Sequence, residues 1–196
     1  MKVAPGKAII VDNTNSQEVA DQYPQLLMHG IKVATPNKKA FLGSYQLRQN
    51  VLSAAAHSGA GVYDESTVGA GLPVISTLKE LIDTGDEVYK IEGVFSGTMS
   101  FLFNSFAPAE WRGGEWSEEV KKAKDLGYTE PDPRDDLNGL DVVKKLTILA
   151  RLLGLQVQSP TWFPVQSLIP KELNDVTTGG EFIKPLPEFN SQMEQN

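Results

Sequence analysis

Charged residues are concentrated in one stretch of this 196-residue chain, from Gly127 to Leu146. Three basic residues accompany its five carboxylates, which are Glu130, Asp132, Asp135, Asp136 and Asp141. Grouped carboxylates bind amines or cations, and a lysine or carboxyl group of adjusted pKa can exchange a proton with a substrate. Two prolines keep the first part of the stretch out of helical geometry. The stretch is therefore the first candidate for a site of polar chemistry.

The helix predicted to follow this loop carries an Asp/Lys pair. Apolar residues recur every three or four positions, at Leu137, Leu140, Val143, Leu146, Leu149 and Leu153. Asp141 and Lys145 are four residues apart, so a helix places their Cβ atoms on one face, about 5–6 Å from each other. The pair can serve proton transfer, or it can be a surface ion pair at an acidic helix start, worth a few tenths of a kcal/mol. Spacing alone leaves both interpretations open, and the surface pair is the commoner arrangement.

Composition limits the classes of function. The 40% hydrophobic and 22% charged residues are typical of a globular protein in water. The net charge of −7 argues against nucleic acid or an anionic membrane as the main partner. The chain has no cysteine and only two histidines, which excludes thiol chemistry and argues against a zinc site. No apolar run approaches the roughly 20 residues of a membrane span. We expect a cytoplasmic protein that acts on a small molecule.

Short apolar runs alternate with helical patterns in the first third of the chain. Strands are predicted at 8–11, 31–34 and 62–65, with helices between them from 16 to 29 and from 40 to 57. This β-α-β-α-β order predicts a parallel, right-handed α/β arrangement. Ligands of such sheets bind beyond the carboxyl ends of the strands.

The turns after these strands are candidate ligand contacts. Thr14 and Lys38 follow the first two strands, and a turn containing Gly69 and Gly71 follows the third. Val74 occupies the place of the third glycine of a phosphate-binding G-x-G-x-x-G motif. A tight turn before a helix is therefore the commoner explanation of this glycine pair.

A longer strand is predicted over 87–95, and it ends at Ser96-Gly-Thr98. Hydroxyl and backbone N–H groups at this point either bind a small carboxylate or cap the next helix. The sequence becomes polar after residue 172, so we expect residues 173–196 to form a poorly ordered tail.

Six stretches, in order along the chain, match one known family. They are Val11-Asp-Asn-Thr14, Ala34-Thr-Pro-Asn-Lys-Lys-Ala40, Glu65-Ser-Thr-Val-Gly-Ala-Gly-Leu-Pro73, Ile91-Glu-Gly-Val-Phe-Ser-Gly-Thr98, the whole of Gly127 to Lys145, and Phe163-Pro-Val-Gln-Ser-Leu-Ile-Pro170. Together they resemble homoserine dehydrogenase, in particular its fungal short form. The similarity covers about residues 8 to 172.

The resemblance implies NAD(P)-dependent interconversion of L-homoserine and L-aspartate 4-semialdehyde, in the route to threonine and methionine. The implied fold is a truncated Rossmann-type dinucleotide-binding portion, residues 1–60, and an α/β catalytic domain, residues 61–172. That domain is expected to contain a mixed sheet with helices on one face. The family is typically dimeric through this sheet, so a homodimer is expected, with 87–95 as the candidate interface strand.

The resemblance also implies roles for single residues. Lys145 is the implied acid/base, with Asp141 beside it on the substrate and Lys38 near the nicotinamide and the reacting oxygen. The implied substrate-binding residues are Glu130, which holds the substrate amino group, Thr98, Tyr128, Asp136 and Asp141. The implied cofactor contacts are Thr14, Lys38 and Gly127. The implied sodium site combines Glu65 with the carbonyl groups of Val68, Ala70 and Leu72.

The family's glycine-rich pyrophosphate cradle does not precede residue 8, and its closing C-terminal helix is not found before Asn196. We therefore expect a truncated chain that binds the cofactor weakly. One alternative is a non-catalytic remnant that binds a homoserine-like ligand or pairs with a full-length subunit. Another, from the carboxylates alone, is a divalent-metal hydrolase. The choice between NAD and NADP is open.

Overall fold

The structure, a computed structural model, describes residues 8–110 and 113–195. They form two compact units. The first extends to Ile91 and includes Lys144–Trp162, and the second comprises Glu92–Val143 and the chain from Phe163 onward. These boundaries differ from the divisions expected at residues 60 and 172, because the chain returns to the first unit inside one long helix.

A parallel sheet of three strands belongs to the first unit. Its strands are β1 (Ile9–Val11), β2 (Lys32–Ala34) and β3 (Val62–Tyr63), paired in the order β1-β2-β3. Val11 lies opposite Ala34, which in turn lies opposite Tyr63. The predicted β-α-β-α-β arrangement and the α/β class are therefore confirmed.

The helices of the first unit begin and end at recognisable signals. They are α1 (Gln17–Asp21), α2 (Tyr23–Met28), α3 (Lys39–Leu42), α4 (Tyr45–Ser58) and α5 (Val74–Asp83). Ser16 and Ser44 start α1 and α4, since each side chain accepts a hydrogen bond from the backbone N–H three residues later. Ser44 also explains why the helix predicted over 40–57 is divided, because it caps a new helix after a non-helical residue, Gly43.

The strand predicted over 87–95 does not form. These residues adopt no regular secondary structure, and the three-stranded sheet of the described residues does not include them. Alternating apolar residues favour a strand only when a neighbouring strand supplies hydrogen-bond partners. The mixed sheet expected for residues 61–172 is likewise absent from the described part of the chain, where the parallel sheet is the only one.

The second unit is helical. Its helices are α6 (Gly97–Phe106), α7 (Trp116–Asp125), α8 (Arg134–Leu137), α10 (Gly179–Ile183) and α11 (Asn190–Met193). Helix α9 (Leu140–Leu152) begins in this unit and continues into the first. The buried core contains Met99, Leu102, Trp116, Val120, Ala123, Leu137, Leu173, Phe182, Leu186 and Met193.

The predicted disorder of residues 173–196 differs from the structure. Phe182, Leu186 and Met193 are buried in the core of the second unit. Each of the three lies in a different short helix of the segment, namely Gly179–Ile183, the 3-10 helix Leu186–Phe189 and Asn190–Met193. A capping box starts the first of these helices, with Thr178 and Glu181 each accepting a hydrogen bond from the other's backbone N–H. These few buried side chains order the segment, although most of its residues are polar.

Among the described residues, the helices are all too short or too polar to cross a lipid bilayer.

Candidate active site

Thr14 and Lys38 lie in the loops that follow β1 and β2. The Thr14 side chain is exposed, and Lys38 is half-buried directly before α3. Because β1 and β2 are parallel neighbours, both loops leave the sheet at the same edge. This is the edge at which the sequence predicted ligand contacts.

A buried polar network holds these two loops together. The Asp12 carboxylate accepts hydrogen bonds from the Tyr23 hydroxyl, from Thr14 N at 2.8 Å and from Asn37 Nδ2 at 3.0 Å. Thr35 Oγ1 donates to the Asp12 carbonyl oxygen at 2.7 Å and accepts from Asn37 N at 2.9 Å. Of these five residues, only Thr14 is exposed. The network therefore fixes the backbone on both sides of the candidate contacts.

The network also sets the ionisation of its members. Burial raises the pKa of the Asp12 carboxyl, but hydrogen bonds from Tyr23, Thr14 and Asn37 outweigh this effect and hold the pKa at about 2. Burial, together with the hydrogen bond to Asp12, raises the pKa of the Tyr23 hydroxyl above its ordinary value. Asp12 is therefore a buried anion, and Tyr23 is neutral, at physiological pH.

Arg151 connects the helix that carries Lys145 with the helix that follows Lys38. It is 1% exposed, and its guanidinium donates to the carbonyl oxygens of Phe41 and, at 3.1 Å, of Gly43. These carbonyls lie in and just after α3. Burial lowers the pKa of Arg151, and the nearby positive charge of Arg48 acts in the same direction.

The turn predicted to bind sodium surrounds Glu65. The two carboxylate oxygens of Glu65 each accept a backbone hydrogen bond at 2.9 Å, from Ile75 N and Ser76 N in the first turn of α5. Each oxygen retains further acceptor capacity. Ala70, within the same turn, has a φ of 53°, a left-handed conformation that is costly for residues other than glycine. Carboxylate and carbonyl oxygens are the donors that a hard cation such as sodium prefers, so these residues fit it by type.

Four of the predicted substrate residues are brought together in the second unit. Thr98 Oγ1 lies 2.6 Å from the Tyr128 carbonyl oxygen and 2.9 Å from Asp136 Oδ1. Asp136 Oδ2 accepts a hydrogen bond from Glu130 N at 2.8 Å. Thr98 is buried, whereas the side chains of Tyr128 and Glu130 are exposed. We call these four residues the Thr98–Asp136 cluster.

Gly127 has a structural reason for its identity. It follows the end of α7 with a φ of 76°, and Tyr128 N donates to the Ala123 carbonyl oxygen at 2.9 Å. This is a Schellman ending, in which glycine is favoured because its φ is positive. The next residue, Tyr128, stacks on Phe101 with 4.8 Å between ring centroids. Gly127 thus turns the chain from α7 into the Thr98–Asp136 cluster.

An ion pair fixes the loop between Glu130 and α8. Asp132 Oδ2 accepts from Arg134 Nη2 at 2.6 Å, and Arg134 Nη1 donates to the Val176 carbonyl oxygen at 2.6 Å. The hydrogen bond to Arg134 lowers the pKa of the Asp132 carboxyl below its ordinary value. Asp132 and Arg134 therefore fix the conformation of the loop between Glu130 and α8.

Asp141 and Lys145 both lie on α9, one helical turn apart, and both are half-buried. Before them, Asn138 Oδ1 accepts from Leu140 N at 2.8 Å, and Gly139 has a φ of 73°. This break separates α8 from α9 and starts the helix at the acidic end of the pair. The predicted placement of both residues on one helical face is confirmed.

Sequence reasoning missed the supporting residues Tyr23 and Arg151, and it placed Asn37 at the ligand-binding edge without its hydrogen bond to Asp12. Asn37 and the neighbouring Asp12 stand inside matched motifs, but their hydrogen-bond partners are distant in sequence. In the described part of the chain, no three His, Cys, Asp or Glu residues are close enough to bind a metal ion together. The divalent-metal hydrolase alternative is therefore left without a ligand cluster among those residues.

Comparisons with known proteins identify the class first. Residues 2–65 match the family model described as homoserine dehydrogenase, NAD binding domain, and residues 73–190 match the model described as homoserine dehydrogenase. A dinucleotide-binding portion followed by a catalytic portion is the organisation of a nicotinamide-dependent oxidoreductase. The chain belongs to the homoserine dehydrogenase family.

Individual relatives agree with this assignment. Homoserine dehydrogenase of Paracoccidioides brasiliensis is 60% identical over 97% of this chain and 52% of its own length. The enzyme of Saccharomyces cerevisiae is 51% identical over 100% of this chain and 54% of its own length. The chain thus spans about half the length of the curated relatives it matches.

Solved structures show the same likeness. A Candida auris protein of unknown function aligns with a TM-score of 0.89 and 48% identity, over 95% of this chain and 52% of that one. A hyperthermophilic archaeal homoserine dehydrogenase in complex with NADPH aligns with a TM-score of 0.61 and 29% identity, over 74% of this chain and 43% of that one.

Proposed function

We propose that this chain carries the NAD(P)-dependent interconversion of L-homoserine and L-aspartate 4-semialdehyde. The observation that carries the proposal is the Thr98–Asp136 cluster, which joins four family-matched residues by hydrogen bonds in a chain of this family. The nicotinamide, when bound, supplies the hydride. The residues of the chain must then hold the cofactor, orient the amino acid and manage one proton.

Thr14 and Lys38 hold the nicotinamide end of the cofactor in this proposal. Both follow strands at the edge of a parallel sheet where ligands commonly bind. The buried Asp12 network fixes the loops that carry them, which supports the proposal because a rigid loop orients a ligand at a lower entropic cost. The archaeal relative solved with NADPH supports a nicotinamide cofactor for the family. The choice between NAD and NADP stays open.

Glu130 and Asp136 orient the amino acid in this proposal. The Glu130 carboxylate is exposed while its backbone is held by Asp136, so its side chain is available to bind an ammonium group. Thr98 and Tyr128 complete the substrate side. Asp141 stands one helical turn before Lys145 and contacts the substrate beside it.

Lys145 acts as the acid/base. In the direction of aldehyde reduction, Lys145 would give a proton to the carbonyl oxygen of the substrate. In the reverse direction it accepts the hydroxyl proton. Lys38 is the second cation near the reacting oxygen in this proposal, as the family resemblance implies.

The same proposal extends to a monovalent cation and a homodimer. Sodium binds Glu65 and the carbonyl groups of Val68, Ala70 and Leu72. The left-handed conformation of Ala70 supports this site, because such strain accumulates at functional turns.

The homodimer forms through residues 87–95. Tyr89 and Val94 are exposed there, and a second copy of the chain would cover them. We place the protein in the cytoplasm.

The test is NADPH oxidation by the purified chain with L-aspartate 4-semialdehyde, compared with Lys145→Ala. Lys144→Ala is the matched control, because Lys144 is the exposed neighbour on the same helix. We expect turnover in wild type and in Lys144→Ala, and its loss in Lys145→Ala. Folded wild-type protein without turnover would refute activity of the chain by itself and favour a remnant that needs a full-length partner. Equal turnover in all three proteins would refute the role of Lys145.

A further inference from the structure

The Asp12 carboxylate is a buried anion, and the hydrogen-bond donors that it has among the described residues are neutral. Its residue is 3% exposed. The donors are a tyrosine hydroxyl, a backbone N–H and an asparagine amide, from Tyr23, Thr14 and Asn37. These bonds stabilise the ionised form without cancelling its charge. A full negative charge therefore remains under the carboxyl edge of the sheet.

The folded chain stabilises this charge, although removing a carboxylate from water is unfavourable unless partners compensate for it. Hydrogen bonds compensate here, and they hold the pKa of the Asp12 carboxyl at about 2. Two neutral groups of matched shape could connect the same loops without an ionised group in the interior. The hydrogen bonds that connect these loops therefore also keep Asp12 ionised beneath them.

The charge is also placed at the two loops of the proposed cofactor site. Asp12 receives the backbone N–H of Thr14 and the side chain of Asn37, the residue before Lys38. The inference that follows rests on the proposed function, in which Thr14 and Lys38 contact the nicotinamide end.

We propose that Asp12 is a specificity-determining residue for the redox state of the cofactor, because its negative charge favours the oxidised nicotinamide over the reduced one. The oxidised ring carries a positive charge and the reduced ring is neutral, whereas the remainder of the cofactor is the same in both. A fixed charge in the protein therefore changes the ratio of the two dissociation constants. Lys38, a cation in the same site, acts in the opposite sense.

The expected size follows from Coulomb's law. Two unit charges separated by about 8–10 Å, which is roughly one Debye length, interact in a medium with an effective permittivity of about 20. Removing one of these charges changes a binding constant by about tenfold. Loss of the Asp12 charge is therefore expected to shift the ratio of dissociation constants by about tenfold toward NADPH.

The test is separate titration of the purified chain with NADP⁺ and with NADPH, up to millimolar concentrations, for wild type, Asp12→Asn and Tyr23→Phe. Titrations with NAD⁺ and NADH repeat the measurement for the other cofactor pair. Tyr23→Phe is the matched control, because it removes one hydrogen bond from the same network and keeps the carboxylate charge. We expect Asp12→Asn to weaken NADP⁺ about tenfold more than NADPH, and Tyr23→Phe to change both affinities by the same factor.

An equal change of both affinities in Asp12→Asn would overturn the redox role and leave the proposed function intact. Binding of neither cofactor pair by folded wild type would overturn the cofactor site itself, and the redox role with it. Near-ultraviolet circular dichroism verifies the fold of each variant. If Asp12→Asn does not fold, Asp12→Ser is the second neutral variant, and it should also weaken NADP⁺ about tenfold more than NADPH.

Discussion

Replacing Arg151 by methionine is expected to destabilise the first unit more than any loss of surface charge would. The guanidinium donates to four carbonyl oxygens, two beside α3, of Phe41 and Gly43, and two after α9, of Val157 and Gln158. Methionine fills a similar length of side chain and donates no hydrogen bond. The substitution therefore leaves four acceptors without their donor.

Burial determines how much these losses cost. Phe41 is 3% exposed and Val157 is 1% exposed, so their carbonyl groups are poorly placed to take water as a replacement. An unsatisfied buried acceptor costs about 1–3 kcal/mol. The carbonyls of Gly43 and Gln158 belong to more exposed residues and regain water. Part of the cost is offset, because a buried cation is also removed. We expect a net loss of roughly 3 kcal/mol in the free energy of unfolding, or about 6–12 °C in Tm for a chain of this size.

Hydrogen exchange tests the location of the loss as well as its size. Backbone amides near residues 39–44 and 155–159 should exchange faster in Arg151→Met than in wild type, since Arg151 ties these two segments together. Lys144→Met is the matched control, because it removes an exposed cation from the same helix and is expected to change stability by less than about 0.5 kcal/mol. An Arg151→Met protein as stable as the control, with unchanged exchange in both segments, would refute the reasoning.

Two further predictions concern the core of the second unit and the acid stability of the first. Phe182→Ala removes a fully buried ring and should lower the free energy of unfolding, measured by urea denaturation, by about 3–5 kcal/mol. Phe103→Ala is the control, because its ring is 44% exposed, and it should lower the free energy of unfolding clearly less. Equal losses in the two variants would contradict the packing of the C-terminal segment. The Asp12 carboxyl has a pKa of about 2 in the folded chain against an ordinary 3.8, so the folded state binds fewer protons than the unfolded state. Its contribution of about 2 kcal/mol is therefore complete above pH 4 and lost as the pH falls toward 2. Asp12→Asn should lack this part of the acid transition, and an unchanged pH profile of stability would refute it.

The features that could be predicted from sequence were those set by local patterns. Short runs of apolar residues between helical patterns were enough to predict the parallel sheet, because β-α-β units have few alternatives. The Asp141–Lys145 placement followed from helical spacing. The strand over 87–95 was wrong because alternation describes a strand only when pairing partners exist, and Tyr89 and Val94 are exposed instead.

Features that depend on contacts distant in sequence were not predicted from it. Tyr23 lies 11 residues from Asp12 and inside a helix, where its apolar ring explains its burial without any reference to the hydroxyl. Arg151 contacts carbonyl groups up to 110 residues away. The C-terminal segment was misjudged because its prolines and polar residues conceal four buried positions. Each of these requires the folded chain to bring the partner into place.

The Tyr23 hydroxyl lets the network around Asp12 respond to an added proton. In the ionised state it donates to Asp12 Oδ2, and a second acceptor, Thr35 Oγ1, lies 3.0 Å from the same hydroxyl. When Asp12 Oδ2 is protonated, Tyr23 can turn its proton to Thr35 and accept from Asp12. The backbone N–H of Thr14 cannot turn, but it contacts the other carboxylate oxygen, Oδ1. The network can thus keep its hydrogen bonds in acid by reversing the direction of one of them, so a falling pH weakens this region without disconnecting the two loops.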